Sequence, residues 1–262
     1  MSAARYAQHF LTSPDAIQRI IDSLELKGQD YVLEIGPGKG ALTGPLIQTG
    51  ARIFSVEIDK FMVDILKEKI PSSNNFTLIQ ADFLEFHLGQ LPRPPNGELF
   101  KVVGNLPYNI TSPILRKLSQ WSGWNFAVLM VQKEVGQRIC AEPGTSDYGA
   151  LTVGVNLTCQ AEHIFDLSET SFRPKPKVAS SVLKITRREK PLTDNVLQTQ
   201  RVIQAAFQQR RKTILNSLSH GLNLEKEPVG FVLKKLGIDP QLRAENLTVD
   251  QFILLTNNLF EK

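Results

Sequence analysis

Glu57, Asp82 and Asn105 each stand at the end of a short β-branched run, in "RIFSVEID", "FTLIQAD" and "LFKVVGN". A further run, "YVLEIG", opens into a glycine-rich turn in which Gly36, Gly38 and Ala41 satisfy G-x-G-x-x-[GA]. Glycine lets the backbone approach a ligand where a β-carbon would block it. By itself this turn suits a dinucleotide, as in a nicotinamide dehydrogenase, or simply a tight strand-to-helix connection. It is not a P-loop, because no Gly-Lys-[Ser/Thr] follows at the required spacing. Glu57 follows Gly36 by 21 positions, where an acid grips both hydroxyls of a ribose. Asp82, one strand further on, is placed to accept a hydrogen bond from an adenine amino group. Ligands of such sheets bind outside the carboxyl ends of the strands, so acids at successive ends point to an adenosine-containing cofactor.

Positioning these groups requires strands that alternate with helices. "YVLEIG", "RIFSVEID", "FTLIQAD", "LFKVVGN" and "FAVLMVQ" each occupy about one strand, with amphipathic segments such as "FMVDILKEK" between several of them. This alternation implies parallel pairing with right-handed crossovers, a doubly wound α/β sheet. "HIFDL" and "SSVLKITR" add two strands at one edge, for a seven-stranded, mostly parallel sheet. From about Pro191 the strand signal stops. "RVIQAAFQQRRKTILNSLSHGL", "EPVGFVLKKLGI" and "TVDQFILLTNNLF" have helical spacing, and Ile203, Phe207, Ile214 and Leu218 form one apolar stripe on a single expected helix. "RREKPLTDN" reads as a linker, giving domains 1–189 and 190–262, the second small and all-helical.

Composition narrows the class. The chain has 262 residues, 42% hydrophobic and 21% charged, values of an ordinary soluble globular protein. No apolar run approaches the 18 or so residues of a membrane helix, and "MSAARYAQHFL" lacks the features of a secretory signal. Cys140 and Cys159 have no metal-like spacing and read as buried small hydrophobes of a reducing cytoplasm, so neither a metal nor a membrane is expected. Net charge is +4, but 171–220 holds eleven Lys and Arg against two acids. That local +9 leaves −5 for the rest of the chain, and such asymmetry suggests a polyanionic partner, most commonly nucleic acid.

"GNLPYN", at the end of the fourth strand, resembles the Asn/Asp-Pro-Pro-Tyr type of motif of S-adenosylmethionine-dependent amino-methyltransferases. "QHFLTSPDAIQRII", "EIGPGKG", "QKEV", "YGALTV", "SFRPKPKV", "FQQRRKTILNSL" and "GIDPQLRAENL" extend the likeness over nearly the whole chain. Together they are similar to the bacterial ribosomal RNA adenine dimethyltransferase family. The resemblance implies a class I, Rossmann-like methyltransferase that uses S-adenosylmethionine. It further implies dimethylation at N6 of two adjacent adenosines in a hairpin near the 3′ end of small-subunit ribosomal RNA, during late subunit assembly. The expected partner is then the partly assembled small ribosomal subunit, met by a monomer in the cytoplasm.

Carried over residue by residue, the resemblance assigns His9, Leu11, Gly36, Gly38, Glu57, Asp82 and Asn105 to the cofactor. The Asn105 side-chain oxygen and the Leu106 carbonyl would each accept one N6–H bond, with Pro107 fixing the backbone that aims them. Tyr108 would stack on the target base, and Phe172 would sandwich it from the other side. The family most often has Asn where this chain has His9, whose charge varies near neutral pH. Arg173, Lys175 and Lys177, set between prolines, and Arg210, Arg211 and Lys212, in a basic turn beside the helical stripe, are the expected phosphate contacts. Two rivals stand beside this reading: a large-subunit adenine methyltransferase of the antibiotic-resistance type, and a non-catalytic RNA-binding assembly factor on the same fold.

Overall fold

A computed structural model describes residues 9–70, 73–107 and 110–260. In chain order the elements are β1 (Phe10–Leu11), α1 (Pro14–Ser23), β2 (Tyr31–Ile35), α2 (Thr43–Gln48), β3 (Arg52–Glu57), α3 (Lys60–Lys69), β4 (Phe76–Gln80), β5 (Phe100–Asn105), α4 (Thr111–Gln120), β6 (Trp124–Gln132), α5 (Lys133–Ile139), α6 (Ala150–Asn156), β7 (Cys159–Leu167), β8 (Phe172–Arg173) and β9 (Ser180–Arg187). Helices α7 (Val196–Phe207), α8 (Ile214–Leu222), α9 (Lys226–Lys235) and α10 (Val249–Phe260) follow. The chain divides into two compact units, 1–136 with 161–187, and 137–160 with 188–262. The helical unit thus includes a segment that runs into the start of β7 as well as the C-terminal stretch.

The first unit is built on a seven-stranded sheet ordered β4-β3-β2-β5-β6-β9-β7. β4, β3, β2, β5 and β6 run parallel, and β9 joins β6 antiparallel. Strands enclosed on both faces read as near-continuous apolar runs, and all five residues of β2 are buried, Glu34 among them. Register aligns the carboxyl ends: Ile35 pairs with Val56 and with Gly104, Glu57 with Gln80, and Asn105 with Met130. The glycine turn, Glu57 and Asn105 therefore emerge side by side along one edge. Asp82 follows two residues after the end of β4.

A small second sheet was not legible in the sequence. β1 pairs antiparallel with β8, setting Phe10 opposite Arg173 and Leu11 opposite Phe172. Thr12 extends the ladder by donating its N–H to Ser171 O at 2.8 Å. Ser13 then caps α1, its Oγ accepting the Ala16 N–H at 3.4 Å, with Pro14 at the first helical position. Ala16, Ile20 and Ile21 of α1 pack with Leu11 and Phe172 in the core of this unit.

In the helical unit, Val202, Ile203 and Ala206 of α7 pack with Ile214 and Leu218 of α8, Val229 and Leu233 of α9, and Phe252 and Leu255 of α10. The single helix expected over 201–222 is two helices. α7 ends at Phe207 and Thr213 caps α8, its Oγ1 accepting the Asn216 N–H. A threonine at this place reads equally well as a helix interior, and no Gly or Pro marks the break. Ile203 and Phe207 thus lie on one helix and Ile214 and Leu218 on the next.

Candidate active site

The backbone of the glycine turn is left-handed at three places, with φ of +68° at Gly36, +55° at Gly38 and +84° at Gly40. Such angles favour residues without a β-carbon. A β-carbon on Gly36 would meet nothing within 4 Å, whereas one on Gly38 would press on the Phe10 ring at 3.1–3.2 Å. The first observation leaves open space against the Gly36 backbone; the second packs β1 directly over the turn. Lys39 adds to that packing, with Nζ 4.4 Å from the Phe10 ring centroid.

Glu57 ends β3 at 2% exposure. One carboxylate oxygen accepts the Gly38 N–H at 3.0 Å and the other accepts the Asp59 N–H at 2.9 Å. Burial pushes its pKa up, opposed by these backbone donors. The Asp82 Oδ1 accepts the Leu84 N–H at 2.8 Å, and its carbonyl accepts the N–H groups of Glu85 and Phe86. Asn105 donates its Nδ2–H to His9 O at 2.9 Å, which commits the amide nitrogen to the residue just ahead of β1 and leaves Oδ1 as the acceptor end of the group. Leu106 is buried, and its N–H donates to Met130 O at 3.0 Å.

These groups surround a cavity of about 510 Å³, lined by residues that include His9, Leu11, Gly36, Gly38, Glu57, Asp82, Asn105, Leu106 and Pro107. Its size is in the range of small-molecule and cofactor sites. Phe10, Phe83 and Met130 complete apolar walls that individual residue types do not advertise in the sequence. The His9 ring Nδ1 lies 2.8 Å from Pro174 O, so it is the main chain of His9 that meets Asn105. Tyr108 lies outside the described residues.

Phe172 is not brought to the cavity. It is 2% exposed, sits opposite Leu11 on β8, and packs in the core with Ile20 and Val182. Its cross-strand partner Leu11 does line the cavity, and the expected sandwich of a base between Tyr108 and Phe172 is not tested by this placement. Arg173, Lys175 and Lys177 are exposed, Lys175 lying 3.9 Å from Glu169. Arg210, Arg211 and Lys212 are exposed in the turn between α7 and α8, where Arg210 donates to Ser146 O at 2.6 Å. Among the described residues no cluster of His, Cys, Asp or Glu suits a metal, and no helix is long and apolar enough to cross a membrane.

Glu34 lies under the turn, 1% exposed, and accepts from Thr43 Oγ1 at 3.0 and 2.9 Å and from Ser55 Oγ at 2.5 Å. Burial pushes its pKa up to about 7, opposed by the Ser55 and Thr43 hydroxyls and reinforced by the nearby Glu57 charge. A carboxyl that holds its proton more tightly when folded stabilises the fold at acid pH. That contribution fades as pH rises from the ordinary carboxylate range through 7. The loss amounts to on the order of 3 kcal/mol for such a shift. Denaturant unfolding at pH 5 and pH 8.5 is expected to show this loss in the wild type, and a much smaller one in Glu34→Gln.

The sheet order, the left-handed glycine turn and the buried acid at the end of β3 define a Rossmann-like S-adenosylmethionine-dependent methyltransferase. The chain belongs to the ribosomal RNA adenine dimethylase family, whose profile matches residues 2–261. It is 41% identical over 260 residues to "Ribosomal RNA small subunit methyltransferase A" of Caldanaerobacter subterraneus subsp. tengcongensis, covering 98% of this chain and 96% of that one. A dimethyladenosine transferase from Plasmodium falciparum has a similar structure, with a TM-score of 0.79, 29% identity and coverage of 94% of this chain and 96% of that one. The 23S rRNA methyltransferase ErmE matches with a TM-score of 0.69 and 29% identity, over 95% of this chain and 99% of that one. The protein is an enzyme that dimethylates adenine in ribosomal RNA, with S-adenosylmethionine as methyl donor.

Proposed function

We propose that the substrate is small-subunit ribosomal RNA, at two adjacent adenosines in a hairpin near its 3′ end, within a partly assembled subunit. The 41% identity to a small-subunit methyltransferase supports this choice over a large-subunit target. Work on an assembling subunit fits a cytoplasmic location, and a monomer is the proposed working unit. The observation that carries the catalytic reading is the Asn105 amide, whose nitrogen is tied to His9 O beside Glu57 and Asp82 in one cavity.

S-adenosylmethionine supplies an electrophilic methyl carbon when bound. The open backbone face at Gly36 admits it closely, Glu57 takes the ribose hydroxyls, and the Asp82 carboxylate accepts from the adenine amine. Leu11 and Gly38 complete the walls, and His9 contributes its main chain. The lone pair of an adenosine N6 is delocalised into the ring, so the nitrogen is a poor nucleophile. Asn105 Oδ1 and the Leu106 carbonyl accept its two N–H bonds and hold the lone pair toward the methyl group. After one methyl transfer a single N–H remains, and one acceptor suffices for the second. No strong base is required, because the alkylated amine is acidic. Orientation in a largely apolar cavity therefore carries most of the rate.

Each unit displays its own exposed basic group, 173–177 on one and 210–212 on the other, for phosphate contacts. Binding of a hairpin RNA is expected to weaken steeply between about 50 and 200 mM salt. The slope of log affinity against log salt should fall by about 2–3 in the triple variant Arg210→Ala/Arg211→Ala/Lys212→Ala. Fluorescence anisotropy measures both, and an unchanged slope would remove this turn from the RNA interface. Label transfer from the methyl donor tests the substrate itself. Incorporation into unmethylated small subunits, with none into large subunits, is expected; label in the large subunit would transfer the assignment to the other rival.

A further inference from the structure

The Asp82–Leu84 loop forms one wall of the cavity, and its internal hydrogen bonds are local. Lys117, 33 residues further along the chain on α4, reaches it. Its Nζ donates to Leu84 O at 2.7 Å and stands 5.7 Å from the Phe83 ring centroid. Burial lowers the Lys117 pKa, and the charges of Asp82 and Glu85 oppose that shift. The ammonium is therefore held at a desolvation cost that these partners reduce but do not cancel. α4 begins four residues after Pro107, so the same helix continues from the Asn105 motif and, through Lys117, meets the Asp82 loop.

We propose that Lys117 is a positioning residue for adenine recognition: by holding Leu84 O and facing Asp82 and Phe83, it fixes the direction in which the Asp82 carboxylate meets the adenine amine. The inference rests on the assignment of Asp82 to that amine. It has a specific consequence. Loss of Lys117 should damage recognition of the amine more than general binding of the nucleoside, since Glu57 and the glycine turn are untouched.

Two probes separate these effects. S-adenosylhomocysteine carries the amine, and S-inosylhomocysteine has a ring oxo group in its place. Calorimetric titration of the full chain is expected to show that the wild type prefers the adenosine probe by about 10-fold or more, the scale of one hydrogen bond to a charged acceptor. In Lys117→Met the adenosine probe should weaken by roughly 10-fold while the inosine probe changes little, so that the preference collapses. Lys117→Arg should restore most of it, since a donor again reaches Leu84 O. Lys117→Gln provides a further variant, checked by its melting curve, should the methionine form fail to fold. An intact preference in Lys117→Met, or an equal loss for both probes, would overturn the inference. Asp82→Asn serves as the control for the underlying assignment. If Asp82→Asn keeps the full preference, the assignment of Asp82 fails; if it abolishes the preference while the Lys117 variants keep it, only the role of Lys117 fails.

Discussion

Asn105→Ala is expected to lower the single-turnover rate of methyl transfer by about 10²–10³-fold, the cost of deleting one placed polar group at a reacting centre. RNA binding should remain within a few-fold of wild type, because the exposed basic residues are unaffected. The substitution removes two things at once: the acceptor Oδ1, and the Nδ2 donor that ties His9 O at 2.9 Å. S-adenosylhomocysteine affinity should therefore fall modestly as β1 loosens over the glycine turn. Asn105→Asp separates the two roles. It keeps an acceptor but sets a carboxylate against the His9 carbonyl, so its cofactor affinity should suffer more than that of the alanine form. Retention of more than a tenth of the wild-type rate in Asn105→Ala would remove the amide from its proposed place. Full rescue by Asn105→Ala of cells lacking the enzyme would make assembly, rather than methylation, the primary role.

Gly104→Ala is expected to damage both fold and site, although the residue carries no chemistry. A β-carbon there would lie 2.7 Å from Ile35 O and 3.2 Å from both the Ile35 Cβ and Leu106 Cδ2. The first contact is with backbone, at the last registered pair of the parallel β2–β5 ladder, so no side chain can swing away to relieve it. β5 would have to move off β2, at a cost of about 1–3 kcal/mol, as for other overpacked cores. The melting temperature should drop by several degrees. Because Ile35 leads into the glycine turn and Gly104 into Asn105, the same displacement separates the cofactor wall from the acceptor. S-adenosylhomocysteine affinity and methyl transfer should therefore fall further than the stability loss alone explains. A variant with wild-type melting and wild-type titration would show that the sheet absorbs the methyl group without cost.

Much of this architecture is carried by local signals. β2, β3, β5 and β6 are apolar runs of strand length, and groups such as Glu57 and Asn105 at their ends are visible because a strand end is a local feature. β9 and β7 could be placed at a sheet edge on the same grounds. Pairings between distant segments leave no such mark. Nothing local in "HFL" or "SFRP" announces that Phe10 and Arg173 are partners, yet this pairing sets Phe172 beside Leu11, and the residue ahead of β1 brings its carbonyl to Asn105. The packing of Phe10 over Gly38 leaves no local mark for the same reason, although Phe10 lies between two residues that the family resemblance assigns. Periodicity bridged the gap between α7 and α8 because six polar or charged residues at 208–213 occupy nearly two helical turns. Apolar spacing resumes in phase after them. In the helical unit, 137–160 packs with residues beyond 188, a union that no boundary drawn along the chain expresses.

The most direct test of the central claim is the identity of the product. Unmethylated small subunits are incubated with the protein and isotopically labelled S-adenosylmethionine, and the RNA is digested and analysed by nucleoside mass spectrometry. Labelled N6,N6-dimethyladenosine, mapped to two adjacent positions near the 3′ end, is the expected result. A different methylated nucleoside, or RNA that is bound but carries no label, would contradict the account of an adenine N6 held by Asn105 and Leu106.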